Sequence, residues 1–221
     1  SVVTGSASGI GAAVCDQLKR AGHRVIGIDR QNADIVADLS TAEGRRAAVQ
    51  AALAACNGVL DGLVCCAGLG PTAPSSSVIV GVNYFGMTEI VDGLEDALAR
   101  GSKPSIVLIG SVASVHPGMD KLPMVAAMLA GDEAGALAQA DAMAVPQAAY
   151  AGSKYAVTVF ARRKAVALGA KGVRLNVIAP GAVETPLLEA SRADARYGEA
   201  IRKFVAPIGR NSTPDEIANV V

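Results

Sequence analysis

Residues 4–11 read Thr4-Gly5-Ser6-Ala7-Ser8-Gly9-Ile10-Gly11 and join a short apolar run, Ser1 to Thr4, to a stretch with apolar positions at helical spacing, Ile10 to Ala21. A strand, a glycine-rich turn and a helix in that order let the backbone turn tightly and approach a pyrophosphate, whose charge meets the helix N-terminus. Many turns carry glycines, so the position between strand and helix is what gives this one weight. Asp29 adds to it. It closes the next strand, Val25 to Asp29, 18 residues after Gly11, close to the ~20 expected of an acid that accepts hydrogen bonds from an adenosine ribose. A carboxylate there repels a 2′-phosphate and favours NAD over NADP; the neighbouring Arg30 pulls the other way.

Working outward, Val36-Ala37-Asp38-Leu39 reads as a third short strand and Ser40 to Glu43 as a capped helix start. Gly62 to Cys66 is a continuous apolar strand, the pattern of a parallel strand buried on both faces. A helix is predicted from Val78 to Arg100, strands at Ser105–Ile109 and Val173–Ile178, and a long helix from Tyr150 to Gly169. Strands alternating with helices predict one α/β domain over residues 1–221, a doubly wound parallel sheet flanked by helices. Residues 117–147, rich in Ala and Met, interrupt that rhythm as a helical insertion before Tyr150. Both ends of the chain look truncated, Ser1 opening inside a strand and Val221 stopping within a helix.

Composition narrows the function. Lys plus Arg and Asp plus Glu number 20 each, so nothing predicts a nucleic-acid partner. Mean hydropathy is positive, yet no apolar run approaches the ~18–20 residues of a membrane span. Cys15, Cys56, Cys65 and Cys66 have neither zinc-site nor disulfide-framework spacing, and only His23 and His116 join them, so no metal is expected. No secretory leader is read at Ser1, and a cytoplasmic location is expected.

Tyr150-Ala151-Gly152-Ser153-Lys154 puts a phenol and an ammonium on one face of one helix. A phenol is a poor base at neutral pH, and a neighbouring cation favours its phenolate. Ser111 ends a strand, where α/β sheets bind ligands, and can hold a substrate oxygen while Tyr150 moves the proton. Thr185, just beyond Asn176 to Gly181 at the end of the last strand, can anchor a nicotinamide carboxamide.

The ordered set Thr4–Gly11, Asp38-Leu39, Cys66-Ala67-Gly68, Asn83, Ser111, Tyr150/Lys154 and Pro180-Gly181 resembles the short-chain dehydrogenase/reductase family across nearly the whole chain. The resemblance implies an NAD(H)-dependent Rossmann-type enzyme interconverting a secondary alcohol and a ketone. It implies Ser111 as the group that polarises the substrate oxygen and Tyr150 as acid or base. Lys154 would bind the nicotinamide ribose and lower the Tyr150 pKa, and Asn83 would kink a helix and hold a water of a proton relay. Gly5, Ser8, Gly9 and Ile10 would line the cofactor phosphates and adjoining ribose. Asp38 and Leu39 would border the adenine, and Gly68 the adenosine ribose.

Two departures stand out. Cys65-Cys66-Ala67-Gly68 replaces the family's Asn-Asn-Ala-Gly, removing an amide that steadies the central sheet. Ser111 and Tyr150 stand 39 positions apart, far more than is usual in the family. Both departures resemble the bacterial 3α-hydroxysteroid dehydrogenase/carbonyl reductase subfamily, which implies a steroid substrate and a homo-oligomer, a dimer first. The insertion has two readings: an ordinary helical cover for the core, or a wall of the substrate pocket that also blocks a subunit contact. Leu187, Leu188 and Met119 are candidates for an apolar substrate wall, His116 a weaker one, and Leu187 to Arg210 a segment that closes over substrate. The alternatives are another alcohol or carbonyl substrate on the same machinery, or a non-catalytic NAD(H) sensor.

Overall fold

The short apolar runs become parallel strands: β1 Val2–Thr4, β2 Ile26–Asp29, β3 Ile35–Val36, β4 Gly62–Cys65, β5 Ser105–Ile109 and β6 Arg174–Ile178. They lie in the order β3-β2-β1-β4-β5-β6 in a computed structural model that describes every residue except Val205. Val2 pairs with Ile26 on one side and Leu63 on the other, so the direction of winding reverses at β1. The crevice beyond the C-terminal ends of β1 and β4 is therefore where a doubly wound sheet binds ligands.

Ten α-helices, α1 Gly9–Arg20, α2 Ala42–Ala55, α3 Ser76–Val80, α4 Gly86–Ala99, α5 Pro123–Ala130, α6 Glu133–Met143, α7 Pro146–Ala170, α8 Pro186–Ala193, α9 Gly198–Lys203 and α10 Pro214–Ala218, complete the described residues. Thr41 caps α2, its side chain accepting from the Gly44 N–H. The larger core joins Val2, Ile28, Leu63, Ile106 and Leu108 of the sheet to α2, α4 and α7; a smaller one holds Val3, Val64 and Val107 with α1 and α10.

Two expectations change. The third strand is Ile35–Val36 only; Asp38 leaves the sheet because its carboxylate accepts from the Ser40 N–H at 2.9 Å and turns the chain toward α2. The single helix expected over Val78–Arg100 is α3 and α4 joined by a π-helical turn, Gly81–Phe85, which contains Asn83.

The insertion folds as a 3₁₀ turn, Met119–Lys121, followed by α5 and α6, and α7 already begins at Pro146. Met124 and Met128 are buried in the main core, which is the covering role rather than the pocket wall for those two side chains. A Cβ on Gly152 would stand 2.7 Å from the Met124 Cε and 3.1 Å from the Val125 Cγ2, so α5 lies directly on α7 there. On its far side the insertion is held by a buried cation. Arg45 of α2 is 0% exposed, donates to both Glu133 carboxylate oxygens at 2.7 and 2.6 Å, and pairs with Glu89 of α4 at 2.8 Å. It also donates to the Leu39 and Ser40 carbonyls, both at 3.4 Å.

A buried guanidinium stripped of one of its two carboxylates keeps its desolvation cost with less to offset it. Glu133→Ala should destabilise the chain by about 2–4 kcal/mol in urea unfolding; a loss under 0.5 kcal/mol would show that Arg45 does not hold the insertion.

Candidate active site

The turn after β1 is shaped by glycines that have steric reasons. Gly5 has φ +68°, and a Cβ there would stand 2.7 Å from the Ala67 nitrogen, so turn and β4 loop touch backbone to backbone. Gly9 has φ +53°. Ser8 is the N-cap of α1, and its hydroxyl makes no capping bond. Ile10 packs on the smaller core.

Asp29 holds this turn from β2, one carboxylate oxygen accepting from the Ala7 N–H at 3.0 Å and the other from the Arg30 N–H at 2.6 Å. Each oxygen retains a lone pair. Ala7, Ser8, Asp29, Arg30, Gln31 and Asn32 line a cleft of about 460 Å³. A glycine-lined cradle, a helix N-terminus and a carboxylate beside the cleft fit a dinucleotide's pyrophosphate and adenosine ribose. Asp38 and Leu39 stand on the far side of β2; Asp38 is exposed, and its bonds from Ser40 hold its carboxyl below the usual range.

The missing amide of the β4 loop has a substitute. The Thr4 hydroxyl accepts from the Ala67 N–H at 3.1 Å and its carbonyl from the Cys66 N–H at 3.2 Å. Burial pushes the Cys65 thiol up to about 12 and raises Cys66 further, so both are protonated packing groups.

Ser111 follows β5, is buried, and caps the 3₁₀ turn Val112–Val115 by accepting from the Ala113 N–H at 3.1 Å. Tyr150 sits near the start of α7. Burial pushes its phenol up, and the nearby Ser111 side chain pulls it part of the way back. The two residues separated by the insertion thus meet. Lys154, one turn along α7, is buried; its Nζ donates to the Ile109 carbonyl at 2.8 Å, and burial lowers its pKa to about 8. In this structure the Tyr150 phenol lies above its ordinary value, with burial the larger influence and Ser111 the one that lowers it.

Asn83 is fully buried and its carboxamide is almost spent. Its Nδ2 donates to the Leu69 carbonyl at 3.0 Å and to the Ser153 hydroxyl at 3.2 Å, and its Oδ1 accepts from the Leu69 N–H at 2.7 Å. Gly68 lies between it and the lysine: a Cβ there would stand 3.3 Å from the Asn83 Oδ1 and 3.6 Å from the Lys154 Nζ. Thr185 caps α8, accepting from the Leu188 N–H at 3.3 Å, and its Cγ2 would meet a Cβ on Gly9 at 3.2 Å.

Ser153 was passed over in the sequence, although it donates to the Tyr150 carbonyl at 2.7 Å while accepting from Asn83. Its i+3 spacing from Tyr150 was the available signal. Val112 and Val115, 47% and 82% exposed directly after Ser111, were missed as apolar surface beside the site; their i, i+3 spacing could have marked them. Leu187 is exposed, Leu188 and Met119 half-buried, and His116 exposed.

Residues 1–127 match the family model for short chain dehydrogenase, and residues 134–221 that for enoyl-(acyl carrier protein) reductase. The chain is 51% identical over 222 residues to a 3-alpha-hydroxysteroid dehydrogenase/carbonyl reductase of Comamonas testosteroni, covering all of this chain and 86% of that protein. It is 32% identical over 240 residues to a cis-4-hydroxycyclohexanecarboxylate dehydrogenase of Sinomonas cyclohexanicum, again covering all of this chain and 86% of the relative. The crystal structure of the 3-alpha-hydroxysteroid dehydrogenase from Pseudomonas sp. B-0831 complexed with NADH superposes with a TM-score of 0.99 at 61% identity, over 100% of this chain and 87% of that one.

The buried Lys154 carries a stability cost with a definite pH signature. Its pKa falls from the ordinary 10.5 to about 8 in the fold, so between those values the unfolded chain binds more protons and stability rises with pH. Lys154→Met should be more stable at pH 7 by about 1–2 kcal/mol, an advantage that shrinks as pH rises toward 10. A variant less stable than the parent by the same amount at pH 7 and pH 10 would refute the account.

Proposed function

The chain belongs to the short-chain dehydrogenase family of oxidoreductases, and from that premise we propose that it uses NAD(H) to interconvert the 3α-hydroxyl and 3-oxo groups of steroids, with carbonyl reductase activity besides. The observation that carries this reading is the full-length superposition on the NADH-complexed steroid dehydrogenase. Val112, Val115, Leu187, Phe204 and Ile208 support an apolar substrate, because they leave exposed hydrophobic surface on the segment after Ser111 and on the one after β6.

Gly5, Ser8, Gly9 and Ile10 would hold the cofactor phosphates, Asp29 the adenosine ribose, Asp38, Leu39 and Gly68 the adenine side, and Lys154 and Thr185 the nicotinamide end. When bound, NAD(H) supplies the hydride acceptor or donor. Ser111 donates a hydrogen bond to the substrate oxygen, and Tyr150 exchanges the proton with that oxygen. Lys154 would bind the nicotinamide ribose when the cofactor is present and exchange the proton between Tyr150 and water, while Asn83 holds the loop beside it in place. Below about pH 8 the resting pair is a protonated phenol and a lysine cation, which is the charge state for giving a proton to a ketone. Oxidation needs the phenolate and gains as pH rises.

A homodimer and a cytoplasmic location belong to the same reading. Four cysteines held as thiols support the location.

Absorbance at 340 nm with androsterone should show turnover with NAD well above that with NADP. Tyr150→Phe should lower it by about 10³-fold or more, with NADH binding retained. Reduction of a simple ketone without androsterone oxidation would remove the steroid and keep the chemistry. NADH binding without turnover of any alcohol or ketone would leave a sensor. Separately, the oxidation rate should climb and the reduction rate fall between pH 7 and pH 9; parallel profiles would contradict the assigned resting charge state.

A further inference from the structure

After β6 the chain leaves the body, builds α8 and α9, and returns to a stem in which the Glu184 N–H donates to the Ser212 carbonyl at 2.9 Å and the Ser212 N–H to the Ala182 carbonyl at 3.0 Å. The first residues of this arm meet the body at two glycines. Thr185 lies against Gly9, after β1, and Leu187 lies against Gly70, after β4, so the arm begins by crossing the crevice between those strands.

The two glycines are there for different reasons. Gly9 has φ +53°, a conformation that disfavours side chains whatever surrounds it. Gly70 is not among the residues with positive φ, so its backbone would accept alanine. What alanine would meet is the arm: a Cβ on Gly70 would stand 2.9 Å from the Leu187 Cδ2 and 3.1 Å from its Cγ. The ground beneath is fixed. Leu69, the preceding residue, is bound at both its N–H and its carbonyl by Asn83, and the Gly70 carbonyl accepts from the Ala73 N–H at 3.1 Å. The Leu187 side chain, an end of a flexible group, is therefore the part that yields.

We infer that Gly70 and Leu187 are positioning residues: the missing side chain of Gly70 is a seat for Leu187, and the seat holds the arm across the β1/β4 crevice. The arm's hold on Thr185, and hence on anything bound beneath it, follows from that seat. Its bearing on NADH rests on the proposed function; the seat itself does not.

The test is a double-mutant cycle of Gly70→Ala and Leu187→Ala, read by hydrogen exchange of the ligand-free protein. Either substitution alone should speed exchange of amides 187–193 by about 3–10-fold while the strands keep their protection. Gly70→Ala should add nothing in the Leu187→Ala background, because the atoms it displaces are gone. NADH release, followed by its own fluorescence, should quicken in parallel in both single variants. Unchanged exchange in the arm, or an equal effect of Gly70→Ala in both backgrounds, would overturn the seat. Should Gly70→Ala lose protection in the strands, Leu187→Ala decides alone, since it only removes atoms. If the parent protein binds no NADH, the proposed function fails and the exchange cycle still judges the seat.

Discussion

The carboxamide of Asn83 pairs with the backbone of Leu69 as a neighbouring strand would, donating to its carbonyl and accepting from its N–H, and it does so out of contact with water. An amide in that position cannot be traded for an apolar group without orphaning two partly buried backbone atoms. It fixes the loop after β4 against the π-helical turn, and its remaining proton fixes Ser153 and thus the turn of α7 that carries Tyr150. The π-helical turn is what directs the residue sideways, since a regular helix would carry the side chain past Leu69. The sheet supplies the crevice; this one carboxamide keeps the pieces on its rim in register.

The insertion is part of that same structure rather than an ornament upon it. It rests on α7 through Gly152 and Met124, and it is tied to α2 and α4 through Arg45. Because Arg45 also takes the Leu39 and Ser40 carbonyls, the cation that anchors the insertion shapes the loop assigned to the adenine side. Cutting the insertion out would expose the buried guanidinium and the face of α7 around Gly152, so its removal would report on folding before it reported on substrate or assembly.

The features written locally were legible. The glycine turn, the alternation of strands and helices, the strand Ser105–Ile109 and the Tyr150/Lys154 pair all depend on spacing within a few residues, and the structure places them as the spacing implies. Ser111 and Tyr150 stand 39 positions apart, so their partnership rested on Ser111 ending a strand and on the family resemblance rather than on local spacing. What was hidden depends on distant partners. Arg45 sits in a charged run that reads as a solvated helix face, and the carboxylate that buries it lies 88 positions away. Gly70 looks like any loop glycine until Leu187 is seen against it. The shortened third strand was misread because Val36 to Leu39 is apolar enough, while Asp38 spends its carboxylate on turning the chain.

The placement of α5 and α6 between Ser111 and Tyr150 also bears on how the molecule comes apart. The sheet pairings join segments far apart in sequence, Val2 with Leu63 for example, while α5 and α6 form a hairpin of near neighbours. Such a hairpin is a cooperative unit that can detach below the free energy of global unfolding. When it does, Gly152 loses its cover and the serine and tyrosine lose their common frame, yet the glycine turn and Asp29, built on β1 and β2, are untouched. Warming or mild denaturant would then abolish turnover while the nucleotide-binding half still stands, and the gap between those two losses measures how firmly the hairpin is docked.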